Sequence, residues 1–455
     1  MRTTSPHPVR LVAALATAAL CAGLGVGLTV PSAAYPPGQA KQVDKDVRFA
    51  TFNASLNRNV EGQLVADLST PNNAQASDIA ETIQRVNPDV LLINEFDFVE
   101  DGLAAELFRD NYLAVPHNGA PGVEYPYYFV APSNTGIPSG FDLDNNGDTS
   151  TTDAGNDAFG FGSFPGQFGM VVFSKYPIRF DDVRTFQRFL WQDMPGALLP
   201  DDPATPNVQQ DWYSPAELEV FRLSSKSHWD VPILVGRKTV HFLVSHPTPP
   251  VFDTAEDRNG TRNNDEIRFW ADYVTGGATA SYIYDDEGGT GGLAKGARFV
   301  IAGDQNSDPL DGDSIPGSAQ LLLDNPRVNA KDTPRSQGAV EAAALQGGVN
   351  ATHRSDPAFD TADFCDTAAP PPCAGPGNLR ADYVLPSKDL RIHSGGVFWP
   401  VRSDPLSRLT GPGFPVPTSD HRQVWVDVRV HGRHGHGHGP HGHGPHGHGP
   451  HGHHG

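Results

Sequence analysis

The stretch RFVIAGDQNSDPLDGDS, residues 298–314, runs as an apolar strand through Phe299, Val300, Ile301 and Ala302 and turns at Gly303. It then presents Asp304, Asn306, Asp308, Asp311 and Asp313. A turn needs a glycine and one residue whose side chain can bond its own backbone; it does not need five polar groups. The pattern recurs. VRFATF ends at Asn53, VLLI delivers Asn94, Glu95 and Asp97, and KTVHFLVS carries His246 at its end. LRADYVLPS holds Asp382, and TSDHRQVWVDVRV places Asp420 and His421 ahead of alternating valines. Carboxylates and amides are hard oxygen donors of the kind that hold Mg²⁺. Histidine can take or give a proton near neutral pH. Asp308, Asp311 and Asp313 read only as a solvated loop.

For such scattered groups to act together, strand ends must converge. DVRFATFNASL alternates as a strand does. QASDIAETIQRV reads as a helix capped by Ser77 or Asp78, with Ile79, Ile83 and Val86 on one face; Asn87-Pro88 stops it, and a buried strand follows from Val90 to Ile93. Another strand runs from Met170 to Phe173, and NDEIRFWADYVTG reads as a helix with Ile267, Trp270 and Val274 facing inward. Residues 180–235, with Trp191, Trp212 and Trp229, give no clear pattern. Helices after some strands and hairpin-like links after others fit an α+β class: a four-layer α/β sandwich, two mixed β-sheets face to face with helices outside.

The ends of the chain read differently. Arg2 and Arg10 precede an apolar run from Leu11 to Val30 and the small-residue site Pro31-Ser32-Ala33-Ala34, so residues 1–34 are expected to be a signal peptide and the protein secreted, with no stable membrane anchor. Residues 431–455 hold 11 of the 19 histidines among Gly and Pro. That composition cannot pack a core and is expected to be disordered; it would bind Zn, Ni or Cu, or serve only as a solvated tail. Residues 35–430 are left for the folded domain, expected to be a monomer. Beyond the leader, Cys365 and Cys373 remain; an even pair in an exported chain reads as a disulfide. The formal charge of −20 repels phosphate backbones and so disfavours passive binding to nucleic acid along a basic face. An acidic enzyme that cuts a polyanion is not excluded, because bound cations can invert the local field.

Taken in order, TFN (Asn53), INEFD (Glu95), VSHPTPP (His246), AGDQN (Asp304, Asn306), ADYVLPS (Asp382) and SDH (Asp420, His421) resemble the motifs of the endonuclease/exonuclease/phosphatase superfamily, the deoxyribonuclease-I-like proteins. The resemblance covers the recognisable strands and leaves insertions at roughly 100–165, 180–235 and 308–378 without a role. It implies a phosphoester hydrolase acting on a nucleic acid, a phospholipid head group or a small phosphoester, with Mg²⁺ or Mn²⁺ as cofactor. Asn53, Glu95 and Asp420 would lie at the metal and His421 would be the general base, oriented by Asp382. Asp304 and Asn306 would orient water and a phosphate oxygen, and His246 would donate to the phosphate or to the developing charge. A reading from another class is an exported metal-binding protein with a vestigial site and a functional His-rich tail.

Two further segments stand out. DLDNNGDTSTTD has the spacing of a calcium loop, with Asp142, Asp144, Asn146, Asp148 and Asp153 as oxygen donors and Gly147 at the turn, or else is an Asp/Asn-rich turn. EDRNGTRNNDEIRF concentrates Arg258, Arg262 and Asn263, which would receive substrate phosphate or pair with neighbouring acids along the helix.

Overall fold

The computed structural model describes residues 46–150, 154–365, 372–411 and 416–430; the leader, the His-rich tail and Asp153 lie outside the described residues. The strands are β1 (Asp46–Leu56), β2 (Val90–Phe96), β3 (Tyr127–Phe129), β4 (Met170–Ser174), β5 (Arg184–Thr185), β6 (His228–Val235), β7 (Lys238–Ser245), β8 (Arg298–Asp304), β9 (Ala362–Asp363), β10 (Asn378–Leu379), β11 (Asp382–Pro386), β12 (Arg391–Val397) and β13 (Val424–Arg429). One sheet has the order β12-β13-β1-β2-β4-β3 and the other β11-β8-β7-β6-β5, each mixing parallel and antiparallel pairs.

Alternation along the strands explains the layering. In β1, Phe49 faces the other sheet and packs in one cluster with Val90, Phe242, Val300 and Val426, while its neighbours Ala50 and Phe52 point outward against Ile79 and Ile83. In β8, Val300 and Ala302 point into the same inter-sheet core, and Phe299 and Ile301 meet Ile267, Trp270 and Val274 on the far side. Two sheets with helices against their outer faces make the expected four-layer sandwich.

Local differences have identifiable causes. The Ala74–Val86 helix starts ahead of Ser77 because Asn73 caps it, its side chain accepting from the Ala76 N–H at 3.0 Å. The helix that carries Ile267, Trp270 and Val274 extends over Arg258–Thr275, earlier than its apolar pattern begins. The strand β6 escaped recognition because Pro232 interrupts it; where a proline falls in a strand it belongs near an edge, and only the two residues of β5 lie beyond β6. Cys365 and Cys373 form the expected disulfide. Among the described residues no helix is long and apolar enough to cross a membrane.

Candidate active site

Strand register brings the scattered acids together. The antiparallel β11–β8 pair sets Asp382 directly opposite Asp304, and the parallel β1–β2 pair sets Asn53 beside Asn94, one residue ahead of Glu95. Glu95 has φ 57° and Asn306 φ 50°, both left-handed, a conformation that side chains other than glycine adopt at a cost. The Asn53 amide bridges the two sheets: its Nδ2 donates to Glu95 Oε1 at 3.0 Å and to Asp304 Oδ2 at 3.1 Å. The Asn306 N–H donates to Asp304 Oδ1 at 2.9 Å, and the Asn306 amide is anchored to the Pro247 carbonyl at 3.1 Å.

The histidines close the arrangement. His421 Nδ1 lies 2.8 Å from Asp382 Oδ2, and His421 Nε2 lies 3.5 Å from Asp304 Oδ2. His246 Nε2 lies 3.3 Å from the same Asp304 oxygen. Phe364 packs edge-on against the His421 ring, and the Thr361 hydroxyl donates to Asp382 at 2.8 Å. An acid–imidazole pair of this kind fixes which ring nitrogen carries hydrogen and leaves the other as a proton acceptor.

Burial and neighbouring charge pull these acids apart. Burial raises the Asp382 pKa to about 6 in spite of His421. Burial also opposes ionisation of Asp304, but the fields of His421 and His246 outweigh it and hold the carboxyl below its ordinary range. His421 moves the other way: desolvation disfavours its charge, yet Asp382 and Asp304 together raise its pKa well above 6.5. His246 is lowered, by burial first and then by Lys226. Pairs pushed apart like this are typical of catalytic centres.

Glu95, His246, Asp304, Asn306, Asp420 and His421 all line one cavity of about 1080 Å³. Asp304, Asp382 and His421 present donor atoms within 4.8 Å of one another. The carboxylates of Glu95, Asp304 and Asp420, all lining this cavity, are the kind of oxygen donor a hard divalent cation takes. As oriented, Asn53 turns its NH₂ rather than its carbonyl toward Glu95, so it positions that carboxylate.

Of the arginine-rich segment, Arg258, Asn259 and Arg262 line the cavity and Asn263 does not, and Arg258 is paired with Glu256. The Arg262 guanidinium is spent on the carbonyls of Leu223, Phe159 and Arg222, and Asn263 on those of Thr248 and Gln305. Buried main-chain carbonyls need donors, which is why these groups face inward. Asp308 and Asp311 are not a solvated loop: Asp308 is buried and accepts the N–H groups of Leu310, Asp311 and Arg380, and Asp311 accepts those of Arg354 and Ser355. In the calcium-type loop, Asp142 accepts from the Asn146 and Gly147 N–H groups, and Asp148 from that of Ser150. Asp142 and Asp144 group with Asp157, a buried acid past the counted spacing. Sequence reasoning missed much of the cavity lining, Lys226 and Phe364 among it. Lys226 precedes the unrecognised β6, and Phe364 precedes the disulfide; neither carries a motif of its own.

The pattern of the Endonuclease/Exonuclease/phosphatase family matches residues 50–421, a range that holds Asn53, Glu95, His246, Asp304, Asp382 and His421. The chain belongs to this family. Members of the endonuclease/exonuclease/phosphatase family are phosphoester hydrolases that use divalent metals. Similar solved structures include an endonuclease/exonuclease/phosphatase from Beutenbergia cavernae DSM 12333 (15% identity, 85% of this chain and 72% of that chain, TM-score 0.41). Sphingomyelinase C from Streptomyces griseocarneus is also similar (14%, 85% and 100%, 0.40), as is beta toxin from Staphylococcus aureus (16%, 84% and 99%, 0.39). No curated protein matches the chain in sequence.

Proposed function

We propose that the protein is a secreted, Mg²⁺- or Mn²⁺-dependent phosphoester hydrolase whose substrate carries an apolar group beside the phosphate. The His421–Asp382 pair facing Asp304 at the cavity wall is the observation that carries the reading. Glu95, with Asp420, would hold the cation, and Asn53 would orient Glu95. When bound, a divalent cation neutralises charge on the phosphoryl oxygens and lowers the pKa of water. His421 Nε2 takes the proton as a water oxygen attacks phosphorus and the ester oxygen departs with the bond pair. Asp382 holds the Nδ1–H, so the imidazolium forms beside a carboxylate. Asp304 and Asn306 orient the water and a phosphate oxygen, and His246 stabilises developing charge.

The cavity supports the substrate class. Beyond the acids its walls include Leu143, Phe168, Phe221 and Val251, and its rim exposes Phe161 (62%) and Phe252 (86%). An apolar chamber suits a lipid or aryl phosphoester better than a polyanion, which the net charge of −20 also disfavours. The test is a panel of DNA, RNA, sphingomyelin, bis-p-nitrophenyl phosphate and p-nitrophenyl phosphate, each with Mg²⁺, Ca²⁺ or chelator. Turnover of the lipid and aryl diesters with Mg²⁺, lost with chelator, is expected; preference for DNA or RNA would overturn the substrate class. Absence of all turnover would favour the alternative, a metal-binding protein acting through its His-rich tail.

The same geometry predicts a pH effect. His421 accepts a proton only when neutral, and its pKa is held above 6.5 by Asp382 and Asp304, so kcat/KM should rise with pH through an inflection above that value. Asp382→Asn removes the larger of these two influences; the inflection should move to lower pH, while the plateau falls because the tautomer is no longer fixed. An unmoved inflection would mean that another group titrates.

A further inference from the structure

Among the described residues, those other than glycine with a left-handed backbone carry polar side chains, with two exceptions, Phe168 (φ 55°) and Phe252 (φ 68°). Asn and Asp tolerate that conformation by bonding their own backbone; a bulky ring there is an outlier. Both phenylalanines line the catalytic cavity, together with Glu95 and His246. They reach it from different sheets, Phe168 leading into β4 and Phe252 following β7. Each is held in place. The Phe168 N–H donates to Asp97 Oδ1 at 3.1 Å, and Asp97 Oδ2 accepts the Arg58 N–H at 2.8 Å. The Gly169 and Gly166 carbonyls accept the N–H groups of Phe96 at 3.0 Å and Phe98 at 2.8 Å, which stitches this loop to the chain directly beyond Glu95. Asn259 fixes both flanks of Phe252: its amide donates to the Val251 carbonyl and its N–H to Asp253, each at 2.7 Å.

Packing within the fold does not explain the strain. Neither ring belongs to a hydrophobic core cluster or packs against one. Phe252 is 86% exposed, and Phe168 is half-buried, its ring 6.3 Å from that of Phe161, which is itself exposed. Costly backbone conformations persist where the surroundings enforce them, and they gather at ligand clamps. What these rings serve must therefore enter the cavity, be apolar and lie close to the catalytic groups.

We propose that Phe168 and Phe252 are specificity-determining residues that grip, one from each sheet, the apolar group beside the substrate phosphate. Because their backbones are fixed before substrate arrives, little order is lost when the group binds. One segment positions both the Phe168 ring and the Glu95 carboxylate, so the apolar group and the phosphate are aligned together. The proposal rests on the hydrolase reading for its substrate, but its binding arm does not: phosphonates, whose carbon–phosphorus bond an esterase leaves intact, can be titrated into the protein whether or not it turns over an ester.

The test compares Phe168→Gly and Phe252→Gly, which remove ring and strain, with Phe168→Leu and Phe252→Leu, which keep an apolar side chain. Melting temperature is read without ligand, and calorimetric affinity is read with Mg²⁺ for methylphosphonate, phenylphosphonate and hexylphosphonate. The wild type is expected to bind the better of the two larger ligands about 10-fold more tightly than methylphosphonate, the scale of one partly buried apolar group. Each glycine variant should shrink that ratio to about threefold or less while melting at or above the wild-type temperature, since glycine takes this backbone freely; the leucine variants should fall between. A larger gain with hexylphosphonate assigns the group to an alkyl chain and a larger gain with phenylphosphonate to an aryl ring; either supports the proposal. An unchanged ratio in both glycine variants overturns it, as does a wild type with no preference. Glycine variants that melt well below the wild type and weaken all three ligands equally would make the rings structural and also overturn it. If the wild type shows the preference but hydrolyses no phosphoester, the hydrolase reading fails and the apolar clamp stands.

Discussion

His421→Ala is expected to lower kcat/KM by about 100- to 10,000-fold, the range for loss of a positioned general base, with little change in phosphate affinity. The reasoning is geometric. One ring nitrogen is committed to Asp382 at 2.8 Å, so the other is the proton acceptor available at the cavity wall. No nearby group can substitute: His246 is held at Asp304, and Asp304 accepts from both Asn53 and His246. The variant should also lose the acid inflection of the pH profile, because the titrating group has gone. Near-wild-type rates, or an inflection that survives, would remove His421 from the role.

Glu95→Gln should be comparably severe, on the order of 100-fold or more, since a cation that stabilises phosphoryl charge supplies several kcal/mol and each 1.4 kcal/mol is tenfold. The glutamine keeps the shape and can still meet the Asn53 amide, so the fold should persist. The distinguishing measurement is activity against Mg²⁺ concentration: the variant should need far more cation for half-maximal rate and partly recover at high concentration. A rate lowered uniformly, with the wild-type Mg²⁺ dependence, would place the cation elsewhere, among Asp304, Asp382 and His421.

The mounts of this site were legible because each is a short apolar run followed at once by chemistry-bearing side chains. Asn53, Glu95, His246 and Asp304 sit at such junctions, Asp382 and His421 stand just ahead of the apolar runs of β11 and β13, and the sheet registers bring them to one end of the sandwich. What stayed hidden depended on partners distant in sequence. Arg262 and Asn263 carry the right chemistry for phosphate, but whether a donor meets a substrate or a main-chain carbonyl is decided by the loops of residues 159, 222–223 and 305, far away along the chain. Asp308 looked solvated because nothing in its own segment reveals that Arg380 comes to it. Lys226 was obscured by Pro232, which breaks the alternation that would have marked its strand.

The left-handed backbone at Glu95 and Asn306 has a further consequence. Each costs roughly 1–3 kcal/mol, and glycine would relieve that cost while deleting the working side chain. Selection for heat resistance alone would therefore erode the chemistry first at Glu95, and a homologue stabilised by glycine there would be well folded and inert.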